Sequence, residues 1–146
     1  MAQDNTSLVK SVYEAFNKKD FDALLKLGMA QTKWVEVPFQ TTFSGESAVR
    51  DAWKGWSDIF PDGKVEVRKL LSSEDCIITE CIGRGTHQGV FHSPAGDLQP
   101  TGKQVEIPFC DIIRLKDGKI LSVQSYFDFY TFLSQLGLET KISKAA

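Results

Sequence analysis

The sequence predicts an α+β domain in which helices cover one face of a curved, mostly antiparallel sheet. Apolar residues recur at helical spacing in most of the first 60 residues, whereas residues 64–127 contain strand-like runs rich in Val, Ile, Thr and aromatic side chains. No helical segment separates those late runs, as a parallel sheet would require. The 146 residues suffice for one domain, which we expect to span 1–146.

Three helices and one strand are predicted in the first half. The first helix begins at residues 5–7, any of which could cap it, and carries one apolar stripe. Asp20 is expected to cap a short second helix that ends at Gly28. Residues 34–38 form a short strand stopped by its proline, and a third helix opens at 44–45.

The second half is predicted to be a meander of strands. The strand-like runs cover residues 64–71, 75–89, 104–115 and 119–127. Turns at 73–75 and 116–118 join neighbouring runs, and the second turn carries an Asp-Gly signal for a hairpin. A last short helix over 129–136 ends at Gly137. Antiparallel neighbours joined by tight turns therefore make up most of the sheet.

Composition excludes several classes of partner. The net charge is −2, and Lys and Arg are not clustered, so no nucleic-acid-binding surface is expected. No apolar run is long enough to span a bilayer, and the N-terminus lacks the pattern of a secretory signal. We therefore expect a cytoplasmic protein without a membrane partner.

No metal site is predicted from the cysteines and histidines. Cys76, Cys81 and Cys110 are expected to be small buried side chains in a reducing compartment. His87 and His92 are five residues apart, so in a regular strand they would face opposite sides. The expected chemistry uses neither a metal nor an organic cofactor.

One carboxyl group interrupts an apolar strand face. Alternate positions from Val105 to Leu115 are apolar except Asp111. A buried carboxylate needs a partner, or it takes up a proton because desolvation raises its pKa. Asp111 is therefore a candidate acid/base group, unless a bulge turns it outward or a basic side chain on a neighbouring strand pairs with it.

Asp128 is the second candidate, at the junction of the last strand and the final helix. By strand parity it shares a face with Tyr126 and Tyr130, either of which could donate a hydrogen bond to a substrate. The alternative is that Asp128 caps the final helix, a position that Asp favours. Glu36, two residues after Trp34, completes the acidic set.

Six short segments occur in a characteristic order and at characteristic separations: 45–50 (GESAVR), 60–63 (FPDG), 85–89 (GTHQG), 100–103 (PTGK), 117–120 (DGKI) and 135–137 (QLG). Together they resemble the SnoaL-like polyketide cyclase (ester cyclase) family of the nuclear transport factor 2-like superfamily. The resemblance covers about residues 8–138. It implies a cone-shaped, half-open barrel with a pocket between the sheet and the N-terminal helices, usually in a homodimer.

The resemblance also implies roles for both aspartates. Cyclases of this family use an aspartate near the end of the last strand in an aldol ring closure, and Asp128 occupies the matching place. The related ketosteroid isomerase keeps an aspartic acid neutral as a hydrogen-bond donor, and Asp111 with Arg114 repeats its spacing. Two departures count against that isomerase mechanism: Glu36 is one residue too early for its base, and Tyr13 is one position from its tyrosine.

The resulting hypothesis is acid/base catalysis on a small apolar or aromatic carbonyl compound. Asp128 would take a proton α to the carbonyl, and protonated Asp111 would donate to the enolate oxygen. The expected substrate-binding residues are Trp34, Glu36, Trp53, His87, Phe109, Tyr126 and Tyr130. Two alternatives stay open: a non-catalytic module that binds a small hydrophobic ligand, and a dimerisation domain whose pocket is filled.

Overall fold

In the computed structural model, which describes residues 4–93 and 96–138, six strands form one curved sheet in the order β2-β1-β8-β7-β4-β3. Its members are β1 (Lys33–Glu36), β2 (Thr41–Ser44), β3 (Lys64–Ser73), β4 (Cys76–Thr86), β7 (Gln104–Lys116) and β8 (Lys119–Phe127). All neighbours pair antiparallel except β1 and β8, which are parallel. The predicted α+β class and mostly antiparallel sheet are confirmed.

Helices pack on the concave side of this sheet. They are α1 (Asn5–Lys18), α2 (Phe21–Leu25), α3 (Ala48–Ile59) and the C-terminal α4 (Phe129–Gln135). The apolar stripes of α1 and α3 are buried against inward side chains of the sheet, forming the main core. A second apolar cluster, rich in phenylalanine, joins α4 to β7. The site described below lies where these two clusters meet the sheet.

Local structure differs from the sequence expectations at several points. Asp4, rather than residues 5–7, caps α1 by accepting a hydrogen bond from the Thr6 amide at 3.3 Å. The second helix ends at Leu25 rather than Gly28, and the strand expected over 34–38 ends at Glu36 and is followed by a 3₁₀ helix, Val37–Phe39. Ser44, expected to open the third helix, is the last residue of β2, and α3 begins only at Ala48. A short hairpin of β5 (Phe91–Ser93) and β6 (Gly96–Leu98) was not predicted.

An irregularity in β8 decides which of its side chains face inward. Arg114 pairs with Ser122, but Leu115 pairs with Ile120, so Leu121 is an extra residue in β8. Such a bulge moves all following side chains to the opposite face relative to an uninterrupted count. Val123 and Ser125 are therefore buried after the bulge.

Candidate active site

Four polar residues form a row across the inner face of the sheet. Thr79 of β4 lies opposite Asp111 of β7, which lies opposite Ser125 of β8, which in turn lies beside Glu36 of β1. All four side chains are buried. Polar groups at one level of four adjacent strands, in an otherwise apolar core, are the chemically distinctive feature of this fold.

Asp111 lies in the middle of the row and is fully buried. The parity of β7 is uninterrupted there, so the predicted inward orientation of Asp111 is confirmed. Its Oδ2 accepts a hydrogen bond of 2.8 Å from the Tyr13 hydroxyl. Its Oδ1 makes no well-formed hydrogen bond within the described residues, although the Ser125 hydroxyl is close enough to lower the pKa of the carboxyl. Burial outweighs these interactions and raises the pKa of Asp111 to about 6.

Tyr13 links the helix layer to the row. Its hydroxyl is 2.7 Å from Thr79 Oγ1 as well as 2.8 Å from Asp111. A phenol has a single proton, which goes to Asp111, so Thr79 donates to the Tyr13 oxygen. Burial and the nearby Asp111 charge hold the pKa of Tyr13 well above 10, so that it remains a donor. The resemblance to ketosteroid isomerase placed Tyr13 one position away from the tyrosine of that enzyme. In this structure Tyr13 is nevertheless the principal partner of Asp111.

Glu36 is the second buried carboxyl group of the row. It ends β1 on the same face as Trp34, because alternate residues of this strand point inward. Burial raises its pKa to about 7, with an opposing contribution from a hydrogen bond with the Trp56 side chain and a further increase caused by the Asp111 charge. The Asp111 charge thus makes Glu36 a weaker acid, in addition to the larger effect of burial.

An apolar cavity of about 80 Å³ lies next to the row. Its walls include Trp34, Trp53, Trp56, Phe109, Ser125 and Phe127. Three of the predicted substrate-binding residues, Trp34, Trp53 and Phe109, are thus at the cavity. Ser125 is the residue that belongs to both the cavity wall and the polar row.

Asp128 is not at this cavity. It is the N-cap of α4, where its carboxylate accepts from the Thr131 amide at 3.1 Å and from the Thr131 hydroxyl at 2.7 Å. These hydrogen bonds lower the pKa of the exposed carboxyl. The expectation that Asp128 shares a pocket with Asp111 is therefore not met, and the capping alternative describes its position.

The two tyrosines expected beside Asp128 also face solvent. Tyr126 is 41% exposed and Tyr130 is 56% exposed. The Tyr126 hydroxyl donates to Gln124 on the outer side of the sheet. The parity argument failed here because the extra residue Leu121 reverses the faces of β8 downstream.

His87 is buried just beyond β4 but does not reach the cavity. Its Nδ1 lies 3.1 Å from the Thr101 hydroxyl, and its ring packs on Phe60 at a centroid distance of 5.9 Å. Burial lowers its pKa, which favours the neutral ring. His87 therefore binds the segment around Thr101 to the end of the sheet and does not line the cavity.

Sequence reasoning did not select Thr79 or Ser125. Thr79 shares strand parity with Ile77 and Cys81, so its inward orientation was readable from β4 alone. Ser125 could not be found this way, because its orientation depends on the bulge in β8.

Among the described residues there is no group of three or more His, Cys, Asp and Glu side chains arranged to hold a metal ion, and no helix long and apolar enough to cross a membrane.

Solved structures share this fold. A candidate polyketide cyclase from Streptomyces antibioticus is 25% identical, with 92% of this chain and 99% of that chain covered and a TM-score of 0.76. A candidate hydroxylase from Streptomyces galilaeus is 23% identical over 92% and 85% of the two chains, with a TM-score of 0.75. A protein from Catenulispora acidiphila described as having a ketosteroid isomerase-like fold is 20% identical over 90% and 92%, with a TM-score of 0.74.

Sequence comparison assigns the family. No curated protein matches this chain. The sequence model of the SnoaL-like polyketide cyclases, a family of small-molecule enzymes, matches residues 6–136, which include all of α1 except its first residue, the whole polar row and α4. The chain therefore belongs to the SnoaL-like polyketide cyclase family.

Proposed function

We propose that this protein catalyses cofactor-independent acid/base chemistry on a small carbonyl compound, as an aldol-type cyclase or an isomerase. The observation that carries the proposal is that two buried carboxyl groups, Asp111 and Glu36, lie on either side of Ser125, which lines an apolar cavity. Both have pKa values raised towards neutrality, where a group transfers protons most effectively in either direction.

The two carboxyls divide the roles because their surroundings differ. Asp111 receives a hydrogen bond from Tyr13, which favours its ionised form, and its pKa is about 6. Glu36 is held near 7 by burial and by the Asp111 charge. We therefore assign the proton to Glu36, as the acid, and the negative charge to Asp111, as the base. This reverses the donor role expected for Asp111 from the isomerase resemblance.

The reaction then follows from these positions. Asp111 Oδ1, the oxygen without a well-formed hydrogen bond, takes the proton α to the carbonyl. The electron pair moves to the carbonyl oxygen, which accepts a hydrogen bond from Glu36. In an isomerisation, Asp111 returns the same proton to another carbon and Glu36 keeps its own. In an aldol closure, the enolate carbon attacks a second carbonyl within the same molecule, Glu36 protonates the new alkoxide, and the proton on Asp111 passes through solvent to Glu36, which restores both groups. Each positioned group contributes about 10²- to 10⁴-fold.

Asp128 is a weaker candidate for the base than the family resemblance implies. Its carboxylate is exposed, and Thr131 engages both oxygens. The lowered pKa makes it less able to take a proton from carbon at neutral pH. We therefore assign the role of the base to Asp111. The experiment must show whether Asp128 is the base instead.

The test is exchange of α-protons in D₂O, followed by ¹H NMR on acetone, 2-butanone and ethyl acetoacetate. We expect wild-type protein to accelerate exchange for at least one of these compounds. Asp111→Asn should lose about 10²-fold or more, whereas Glu36→Gln should lose less, because an amide can still donate a hydrogen bond. Asp128→Asn, which preserves the cap, is the matched control and should stay near wild type.

Two outcomes would overturn the assignment. Loss of exchange in Asp128→Asn with activity retained in Asp111→Asn would move the base to Asp128. No acceleration with any compound would favour the alternative, a non-catalytic module that binds a small hydrophobic ligand, which the apolar cavity walls also suit. The homodimer and the cytoplasmic location expected from the sequence remain predictions.

A further inference from the structure

Two buried hydrogen-bond donors at the cavity have no acceptor. The indole Nε1 atoms of Trp34 and Trp53 make no hydrogen bond with any described residue, although the two side chains are only 2% and 4% exposed. Leaving a buried donor unpaired is destabilising, because the donor has lost its hydrogen bonds to water. Both residues line the same cavity, so a single ligand oxygen in it could satisfy both donors.

The positions of both rings are fixed by packing. Trp34 and Trp53 contact each other edge to face, with centroids 5.5 Å apart and planes at 74°. Trp53 also packs on Phe16 at 4.6 Å and edge to face on Tyr13 at 5.8 Å. Neither indole can turn to find another acceptor without displacing these neighbours. The donors are therefore held in place before any ligand binds, which is how donors to a developing negative charge are most effective.

The third tryptophan provides an internal contrast. Trp56 also lines the cavity, but its side chain is close enough to Glu36 to lower the pKa of that carboxyl. Trp56 thus has an acceptor nearby, whereas Trp34 and Trp53 are buried without one among the described residues. Because Trp34 lies two residues before Glu36 on the same face of β1, its unpaired donor belongs to the same part of the sheet as the carboxyl pair.

The surroundings determine what kind of oxygen these donors would bind. Glu36 and Asp111 make the site unfavourable for a ligand that arrives as an anion, whereas a neutral carbonyl oxygen is not repelled. The cavity of about 80 Å³ is roughly half the size of one that holds benzene, about 150 Å³. It therefore encloses only a compact group of about three or four heavy atoms, by the same scaling.

We propose that the indole N–H groups of Trp34 and Trp53 bind the carbonyl oxygen of a neutral, compact ketone or aldehyde group. This rests on the proposed function and names the group that its substrate presents. The rest of a larger substrate extends through the mouth of the cavity, past Gly63, Lys64 and Arg84. When Asp111 removes the α-proton, the oxygen becomes negative and both hydrogen bonds strengthen, so the indoles stabilise the enolate.

The direct test uses ¹⁵N-labelled protein and follows the indole N–H resonances during titration with acetone. Isobutene, which has the shape of acetone but no acceptor, is the matched ligand. We expect acetone to shift the Trp34 and Trp53 indole protons downfield and to move the Trp56 signal less. Isobutene should not shift them downfield. The variants Trp34→Phe, Trp53→Phe and Trp56→Phe assign the signals, and each should be checked for folding by near-UV circular dichroism.

The variants also provide an affinity test. Trp34→Phe should weaken acetone binding by about tenfold, the loss expected for one hydrogen bond, and leave isobutene binding less affected. If acetone and isobutene shift the indole signals alike, or if acetone shifts neither, the assignment is wrong. This result does not depend on turnover: indole shifts without α-proton exchange would retain the carbonyl site and reject the catalytic proposal, and exchange without indole shifts would do the reverse.

Discussion

The buried carboxyl group of Asp111 is stabilised by a hydrogen bond from a hydroxyl group that a helix contributes to the core. Tyr13 and Asp111 are 98 residues apart in sequence and 2.8 Å apart in space. The sequence indicated the carboxyl half of this pair, since alternation along β7 placed Asp111 among apolar residues. It did not indicate the tyrosine half, because the rotation of α1 about its own axis is set by packing of its whole apolar stripe.

The Tyr13–Asp111 hydrogen bond should make a measurable contribution to stability. Tyr13→Phe removes the donor to Asp111 and the acceptor for Thr79. We expect the free energy of unfolding to fall by about 1–3 kcal/mol, measured by urea denaturation at pH 7. The loss should shrink at pH 5, where Asp111 is mostly protonated and depends less on a donor.

Tyr126→Phe is the matched control for this measurement. It removes the same hydroxyl group from an exposed side chain whose hydrogen bond is on the surface. Its effect should stay within about 0.5 kcal/mol. Equal losses in the two variants would mean that the Tyr13 hydrogen bond contributes nothing specific to the core.

At the scale of elements, the sequence predicted which side chains face inward wherever inward and outward residues alternate without interruption along a strand. Where a bulge interrupts that alternation, the prediction failed. In β7 the count of alternate residues gave the correct face for Asp111. In β8 the same count gave the wrong face for Tyr126, because of the bulge at Leu121. A bulge is set by the pairing of two strands, so no count along one strand can reveal it. The bulge therefore changes which residue lines the cavity, which is Ser125 rather than Tyr126.

The loop after β4 positions α3, which carries Trp53 and Trp56. The amides of Gln88 and Gly89 donate to the carbonyl of Ile59 at 3.1 and 3.0 Å. A Cβ atom at Gly89 would lie 1.9 Å from the Asp58 carbonyl oxygen. Only glycine allows this approach of loop to helix.

Gly89→Ala should therefore destabilise the protein by about 1–3 kcal/mol, the usual cost of overpacking. Gly55→Ala is the matched control, since a Cβ there meets nothing within 4 Å and Gly55 lies inside α3. It should be neutral or stabilising by up to about 1 kcal/mol because alanine favours the helix. Thermal unfolding of both variants provides the comparison, and a Gly89→Ala protein as stable as wild type would contradict the loop contact.

At the scale of the whole molecule, the site exists only because four strands align. Thr79, Asp111, Ser125 and Glu36 come from β4, β7, β8 and β1, and their level is set by the combined registers of three strand pairs. The order of elements and the fold family were predictable, because helical and strand periodicities are local and the family segments span most of the chain. The polar row was not, because each register depends on contacts between distant segments.

The carboxyl pair should also govern how global stability depends on pH. Folding raises the pKa of Asp111 from 3.8 to about 6 and that of Glu36 from 4.5 to about 7. Between about pH 4 and pH 7 the folded state thus binds more protons than the unfolded state, so stability falls as the pH rises through this range. Asp62 and Asp128 have lowered pKa values and act in the opposite sense, but their contribution is essentially complete by pH 5. His87, whose pKa burial lowers, also acts in the opposite sense, and its contribution continues up to about neutral pH.

Urea unfolding at pH 5 and pH 8 isolates the contribution of the pair. From pH 5 to pH 8 the two carboxyls should cost the wild type on the order of 4 kcal/mol, roughly 1.4 from Asp111 and roughly 2.5 from Glu36, at about 1.4 kcal/mol per unit of pKa. The double variant Asp111→Asn, Glu36→Gln keeps the shape of both side chains without their titration. His87 titrates in both proteins, so the double variant should not lose stability over the same interval, and its difference from wild type gives the contribution of the two carboxyls. Should wild type and double variant respond alike to pH, the two carboxyls are not the buried, proton-sharing pair on which the proposed chemistry depends.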